Sequence, residues 1–196
     1  QDILYSGALS VSMIAVAVSA PIFGVISDQT GRRRFPLAFL TIVSVFATVL
    51  IGQTNLLWVG ILLFIIANYC YQSALVFYNG MLPNVARRSS IGIVSGYGVS
   101  LGYLGSIVGL LIVEPFVVNG GRSAAFLPTG ILFLIFAIPC FIFVKDSNQN
   151  IFPVNIGQAF ITLKKTIANA SDNQILLSFF VVHFLVLDVV NTIIAF

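Results

Sequence analysis

Charge is scarce in this sequence. Asp, Glu, Lys and Arg supply 8% of its 196 residues, against roughly a quarter in soluble domains. With 59% hydrophobic residues and a mean hydropathy of +1.07, the chain has too little polar surface to face water on all sides. A lipid bilayer is the solvent that suits it. Other shortages narrow the function. The chain has a single histidine and two cysteines. Cys70 and Cys140 both lie inside apolar runs, which excludes a disulfide framework and metal-ligand spacing and leaves packing thiols. Its few basic residues form no basic face, so no nucleic-acid partner is expected. No Ser, His and Asp set and no phosphate-binding glycine loop opening from a strand is legible. Neither catalysis nor a cofactor or metal is therefore expected.

Six stretches, at roughly 5–27, 35–51, 56–79, 91–114, 124–144 and 174–196, meet or approach the ~20 apolar residues that a spanning helix needs. They predict an all-α, polytopic membrane protein. Pro36 suits the first turn of the second helix, Asn55 a cap of the third, Ser123 of the fifth, and Ser171 or Asp172 of the sixth. Alternate loops differ in charge. One set carries Arg32, Arg33, Arg34, Arg87, Arg88, Lys145, Lys164 and Lys165, and the other only Arg122. By the positive-inside rule the first set is cytoplasmic, so Gln1 begins on the outer side. No initiator Met and no signal-like region precede it. At least one helix is expected upstream of Gln1 and others after Phe196, which makes the sequence a fragment. The long polar break at 145–173 holds Ile156, Phe160, Leu163 and Ile167 at helical spacing. It reads as a short amphipathic helix on the membrane surface or, equally, as an ordinary connecting helix. The sequon at Asn169 falls on the cytoplasmic side and is discounted.

Polarity is unevenly shared among the helices. The second and fifth are bland, with Thr41, Ser44, Thr48 and Thr129 as their main polar groups, and read as scaffold facing lipid. The third places Asn68, Gln72 and Asn79 on one face, flanked by Tyr71 and Tyr78. An unpaired amide in hydrocarbon costs several kcal/mol. Such a stripe therefore lines a wet cavity or serves as interhelical glue. The sixth carries His183, Asp188, Asn191 and Thr192. Asp188 lies roughly 21 Å into a core about 30 Å thick, with Asn191 and Thr192 on its face. These three bind a substrate ammonium or a coupling proton, or else Asp188 joins helices as a hydrogen-bonded acid. His183 is rotated away and reads as packed. Gly98, Gly102, Gly105 and Gly109 form a stripe on the fourth helix, and Ala8, Ser12, Ala15 and Ser19 repeat it on the first. Small stripes suit static packing or surfaces that rock against a partner. Glu114, at the outer end of the fourth helix, reads as a solvated boundary charge.

The densest charge in the chain is "GVISDQTGRRRFPL", residues 24–37. Gly24, Asp28, Gly31, Arg32 and Arg33 follow a spacing that membrane topology alone does not require. The stretch resembles the cytoplasmic loop signature of the major facilitator superfamily. "VFYNGMLPNVA", "SGYGVSLGYLGSIVGLL" and "DVVNTI" are similar to its vacuole effluxer-like branch, related to autophagy amino-acid effluxers. The resemblance implies a fold of twelve helices in two halves of six. The helices here would be the second to seventh. Residues 1–144 would belong to the N-terminal half with five helices present, 145–173 would be the central cytoplasmic loop, and 174–196 would open the C-terminal half.

It further implies movement of a small solute, amino acids or related metabolites, by alternating access. Asn68, Tyr71, Gln72, Asn79, Asp188, Asn191 and Thr192 would line the pathway. Asp28 with Arg32 or Arg33 would latch the cytoplasmic gate, and the glycine stripe would form a gating interface. A proton or another cation would be the coupling species, although the fourth-helix Arg and the fifth-helix Pro-containing pattern of some antiporters are absent from the matching segments, which counts against proton antiport. The implied partners are the solute, the bilayer and the remaining helices of a full-length transporter. The implied location is the plasma membrane in a prokaryote or the vacuolar membrane in a eukaryote. The competing reading is a non-transporting membrane scaffold or receptor that uses the glycine-rich helix as its interface.

Overall fold

The computed structural model of the chain describes residues 2–86, 89–144 and 146, together with positions 174, 177, 178, 181, 182, 185, 186 and 189. The helices of residues 1–154 are α1 (Asp2–Thr30), α2 (Arg34–Ile51), α3 (Leu57–Val85), α4 (Ile91–Gly120) and α5 (Phe126–Phe143), with a 3-10 turn at Arg122–Ala125 before α5. Among the described residues, these are five helices long and apolar enough to cross a membrane. The described positions from 174 to 189 are helical and exposed and belong to a second compact unit, residues 155–196. The amphipathic segment expected near 156–167 lies outside the described residues, as do Arg87, Arg88, His183, Asp188, Asn191 and Thr192.

Three helices outrun their apolar stretches, α1 by three residues at each end and two others by more. α3 continues through Pro83 to Val85 and α4 through Pro115 to Gly120, so each is about 45 Å long, against a hydrocarbon core of about 30 Å. Past the apolar run the backbone still needs partners, and continuing the helix supplies them within the segment. Pro36 falls in the first turn of α2 as expected. The expected caps at Asn55 and Ser123 are not used. Leu56 precedes α3 without a side-chain cap, and Thr54 Oγ1 accepts from the Leu56 N–H at 3.3 Å instead. Ser123 is taken up by the 3-10 turn.

α3 lies between α1 and α2, and α2 also packs on α5. The reading of α2 as bland lipid-facing scaffold holds for one face only. Phe35, Phe39, Ile42 and Phe46 form an exposed stripe, whereas Leu37, Thr41, Ser44 and Ala47 are buried. Ser44 Oγ donates to the Ala67 carbonyl of α3 at 2.9 Å. In a bilayer a hydroxyl turns toward protein because lipid tails offer it nothing to bond. Beside this seam Leu37, Ala74, Phe77 and Met81 make an apolar cluster joined by Phe23 of α1 and by Cys140 and Phe141 of α5. The rings of Phe23 and Phe77 lie 5.6 Å apart.

The α2–α5 contact depends on two glycines. A Cβ on Gly130 would meet Val49 Cγ2 at 2.6 Å, and one on Gly52 would meet the Ser123 carbonyl oxygen at 2.8 Å. By contrast, α4 has no buried residue, and a Cβ on Gly98, Gly102, Gly105 or Gly109 would meet nothing within 4 Å among the described residues. Gly130→Val therefore overpacks a seam with no room to yield and costs roughly 1–3 kcal/mol, visible as a lowered melting temperature in detergent. Gly102→Ala meets no described neighbour and is expected to raise the same melting temperature slightly, because alanine is favoured over glycine in a helix by up to about 1 kcal/mol.

Candidate functional site

The charged loop is built around one side chain. α1 ends at Thr30, whose Oγ1 donates to the Ile26 carbonyl at 2.6 Å. The turn is then made by Gly31, with φ at +62° and its N–H donating to the Ser27 carbonyl at 3.1 Å. This is a left-handed helix end that glycine adopts without a Cβ penalty. The chain is thereby reversed so that Arg33 points back between the helices. Arg33 is 8% exposed. Its Nε donates to Ser27 Oγ at 2.8 Å, its Nη2 to Asp28 Oδ1 at 3.0 Å, and its Nη1 to the Gly80 carbonyl of α3.

Gly80 is small for the same reason. A Cβ there would stand 3.0 Å from Ser27 Oγ and 3.1 Å from Arg33 Nε. Asp28 is 78% exposed at its side chain, so the ion pair itself contributes little. The neutral acceptors on α1 and α3 hold the guanidinium in place. Of the two arginines expected to pair with Asp28, the structure selects Arg33. Arg32 is exposed, and its backbone N–H donates to Thr30 Oγ1 at 3.3 Å. Gly24 meets no steric demand, since a Cβ there touches nothing within 4 Å among the described residues.

A second anchor reaches the loop from the far end of the first unit. Asp146, just past α5, accepts through one oxygen, Oδ1, the N–H groups of both Arg33 and Arg34 at 2.8 Å each. These amides open α2, whose N-cap residue, Arg33, caps nothing with its own side chain. A helix start leaves such N–H groups without intrahelical acceptors, and the carboxylate of Asp146 supplies one. Sequence reading missed Ser27, Gly80 and Asp146 as members of the site. Gly80 lies in a segment whose family resemblance was legible. Nothing local marks Ser27 or Asp146.

The amides of α3 occupy a different region. Ala67, Cys70, Ser73, Ala74, Phe77 and Met81 are the buried residues of α3, and at 100° per residue the stripe of Asn68, Gln72 and Asn79 lies across the helix from them. Asn68 is tied down, its Nδ2 donating to Ser12 Oγ of α1 at 2.6 Å while Ser12 Oγ donates to the Leu9 carbonyl at 2.8 Å. It is thus interhelical glue at the edge of the stripe. Gln72 is half-buried and Asn79 exposed. Tyr71 leaves the group and turns to α5, its ring 5.9 Å from that of Phe133. With Tyr78, Thr41 and Phe141 it walls an apolar crevice of about 210 Å³ between α2, α3 and α5. Asp188, Asn191 and Thr192 lie outside the described residues. Among the described residues no group of His, Cys, Asp and Glu has the makings of a metal site.

Removing the Arg33 side chain strips acceptors on two helices of a charged donor, where each such bond contributes about 1.5–3 kcal/mol. Arg33→Ala is expected to cost roughly 2–4 kcal/mol of stability in detergent. Arg33→Lys is expected to recover less than half of it, because an ammonium lacks the planar fork that serves three acceptors at once. Thermal unfolding of the three proteins side by side checks both expectations.

The vacuole effluxer Atg22 like family matches residues 3–196. An uncharacterized protein of Aquifex aeolicus (strain VF5) is 27% identical over 196 residues, covering 98% of this chain and 46% of its own length. The uncharacterized MFS-type transporter YxiO of Bacillus subtilis (strain 168) is 26% identical over 212 residues, covering 99% of this chain and 49% of its own. The chain thus spans about half the length of the curated relatives it matches. No solved structure matches it. A charged loop folded around Arg33 and a match over nearly every residue lead to one assignment: the chain belongs to the vacuole effluxer Atg22 like family.

Proposed function

We propose that this chain is part of a secondary active transporter that moves a small solute, of the amino-acid or related metabolite class, across a membrane by alternating access. The observation that carries the reading is the Arg33 network, in which one guanidinium bonds the ends of α1 and α3 through Ser27, Asp28 and Gly80. A few directional bonds at the ends of spanning helices make a contact that is specific when formed and cheap to break toward water. A gate requires both properties. Similarity to an MFS-type transporter supports the same reading.

On this reading α1 to α5 are the second to sixth helices of the N-terminal half, and residues 174–196 are the seventh. Gly24, Asp28, Gly31, Arg32 and Arg33 belong to the cytoplasmic gate. Asn68, Gln72, Asn79, Asp188, Asn191 and Thr192 belong to the solute pathway, whereas Tyr71, expected there too, turns to Phe133 of α5. The four glycines of α4 let that helix approach a moving partner closely. The membrane is the plasma membrane in a prokaryote or the vacuolar membrane in a eukaryote.

Transport in vesicles made with the full-length protein tests this. Uptake or counterflow of a radiolabelled amino-acid mixture is expected for the wild type, to be abolished by Asp188→Asn, and to fall about tenfold with Gln72→Ala, the loss of roughly one solute hydrogen bond. Insertion, followed by membrane-fraction yield, is expected to be unchanged in both. Unaltered flux in Asp188→Asn removes that residue from the pathway. Absence of flux in every protein, with Gly102→Leu abolishing capture of a protein partner, replaces the transporter reading with the scaffold one.

A further inference from the structure

The backbone and the side chain of Arg33 answer to different helices. Its guanidinium bonds α1 and α3 through Ser27, Asp28 and Gly80, and its N–H, with that of Arg34, bonds Asp146 beyond the end of α5. Asp146 lies 113 residues from Arg33 in sequence. It stands three residues past the last residue of α5, Phe143. Elsewhere along its length α5 is seated on α2 by the close approaches at Gly130 and Gly52. The carboxylate adds a hold at the opposite end of α2, where the loop turns into the helix.

We propose that Asp146 is a positioning residue of the gate: by fixing the first amides of α2 it aims the Arg33 guanidinium at Gly80 and Asp28, and so couples the end of α5 to the contact between α1 and α3. The proposal rests on the gate reading given above. Its chemistry is local. Two N–H groups at a helix start have no intrahelical acceptor, and a carboxylate placed there is favoured both as acceptor and by the helix dipole. One carboxylate oxygen shared by two amides has little positional freedom, so a shift of the α5 end moves the root of the Arg33 side chain with it. Release of the carboxylate frees the loop to turn Arg33 out of its site without unpacking the apolar cluster of Leu37, Phe77 and Met81.

Amide hydrogen exchange on the full-length protein in nanodiscs reads this contact directly, because among the described residues Asp146 Oδ1 is the acceptor of the Arg33 and Arg34 N–H groups. Asp146→Ala is expected to speed exchange in the peptide covering residues 31–36 by at least about tenfold, the change that accompanies loss of one charge-assisted hydrogen bond. Exchange across residues 38–50, the interior of α2, is expected to stay unchanged and so to separate loop release from unfolding. Asp146→Asn, which keeps an acceptor oxygen, is expected to stay within about threefold of the wild type, since Asn caps helix starts about as well as Asp. Equal exchange in wild type and Asp146→Ala overturns the proposal, and so does an Asp146→Asn protein that behaves as Asp146→Ala. The flux assay separates the two readings. A wild type that moves no amino acid in vesicles defeats the transporter reading, whereas the exchange contrast by itself decides whether Asp146 holds the loop.

Discussion

The buried guanidinium of Arg33 is the contact on which the charged end of this structure depends. Withdrawing a cation from water costs several kcal/mol, and only a nearly complete set of acceptors offsets it. Here the acceptors come from Ser27 and Asp28 on α1 and from Gly80 on α3, and each requires a neighbouring feature. Gly31 must take its left-handed turn for the arginine to point inward. Gly80 leaves room for the guanidinium, since a Cβ there would press on Ser27 Oγ and Arg33 Nε. Asp28, largely exposed, neutralises the charge while its other face stays in water. The spacing of glycine, aspartate and arginine in this loop therefore follows from placing one cation between two helix ends.

The bilayer as solvent explains the rest of the packing. Without a hydrophobic drive between helices, close approach of backbones and a few polar bonds must hold them, and each seam has one or the other. Ser12 with Asn68 joins α1 to α3, Ser44 with the Ala67 carbonyl joins α2 to α3, and Gly130 against Val49 joins α5 to α2. Large apolar side chains turn outward, as the phenylalanines of α2 do. Small polar residues such as Ser12, Ser27, Ser44 and Ser73 are buried beside the apolar cluster of Leu37, Phe77 and Met81. α4 is the exception, with glycines along one face and no buried residue among those described.

Ser27 and Asp28 follow Ser12 by about four turns of α1, and the same helix is therefore held to α3 by polar contacts near its middle and at its C-terminal end. Asn68 and Gly80, which make the polar contacts of α3 with α1, are about three turns apart, with Gln72 between them. Pro21 lies inside α1 between these two contacts.

How much of this was legible in the sequence can be judged residue by residue. The number and course of α1 to α5 followed from apolar length, because a bilayer demands long uninterrupted helices and little else. The charged loop was recognisable from the spacing of Gly24, Asp28, Gly31, Arg32 and Arg33, since a turn and a cation both leave residue-specific marks. The sequence could not say which arginine pairs with Asp28, that Asn68 is bound to Ser12 while Tyr71 turns to Phe133, or that Asp146 closes the start of α2. Those are pairings between distant segments. Residue type and helical periodicity determine what each segment is and which way its faces point. Only the packed arrangement of the helices decides which face meets which, because a hydrogen bond or a missing Cβ takes effect only against the partner that tertiary structure brings to it.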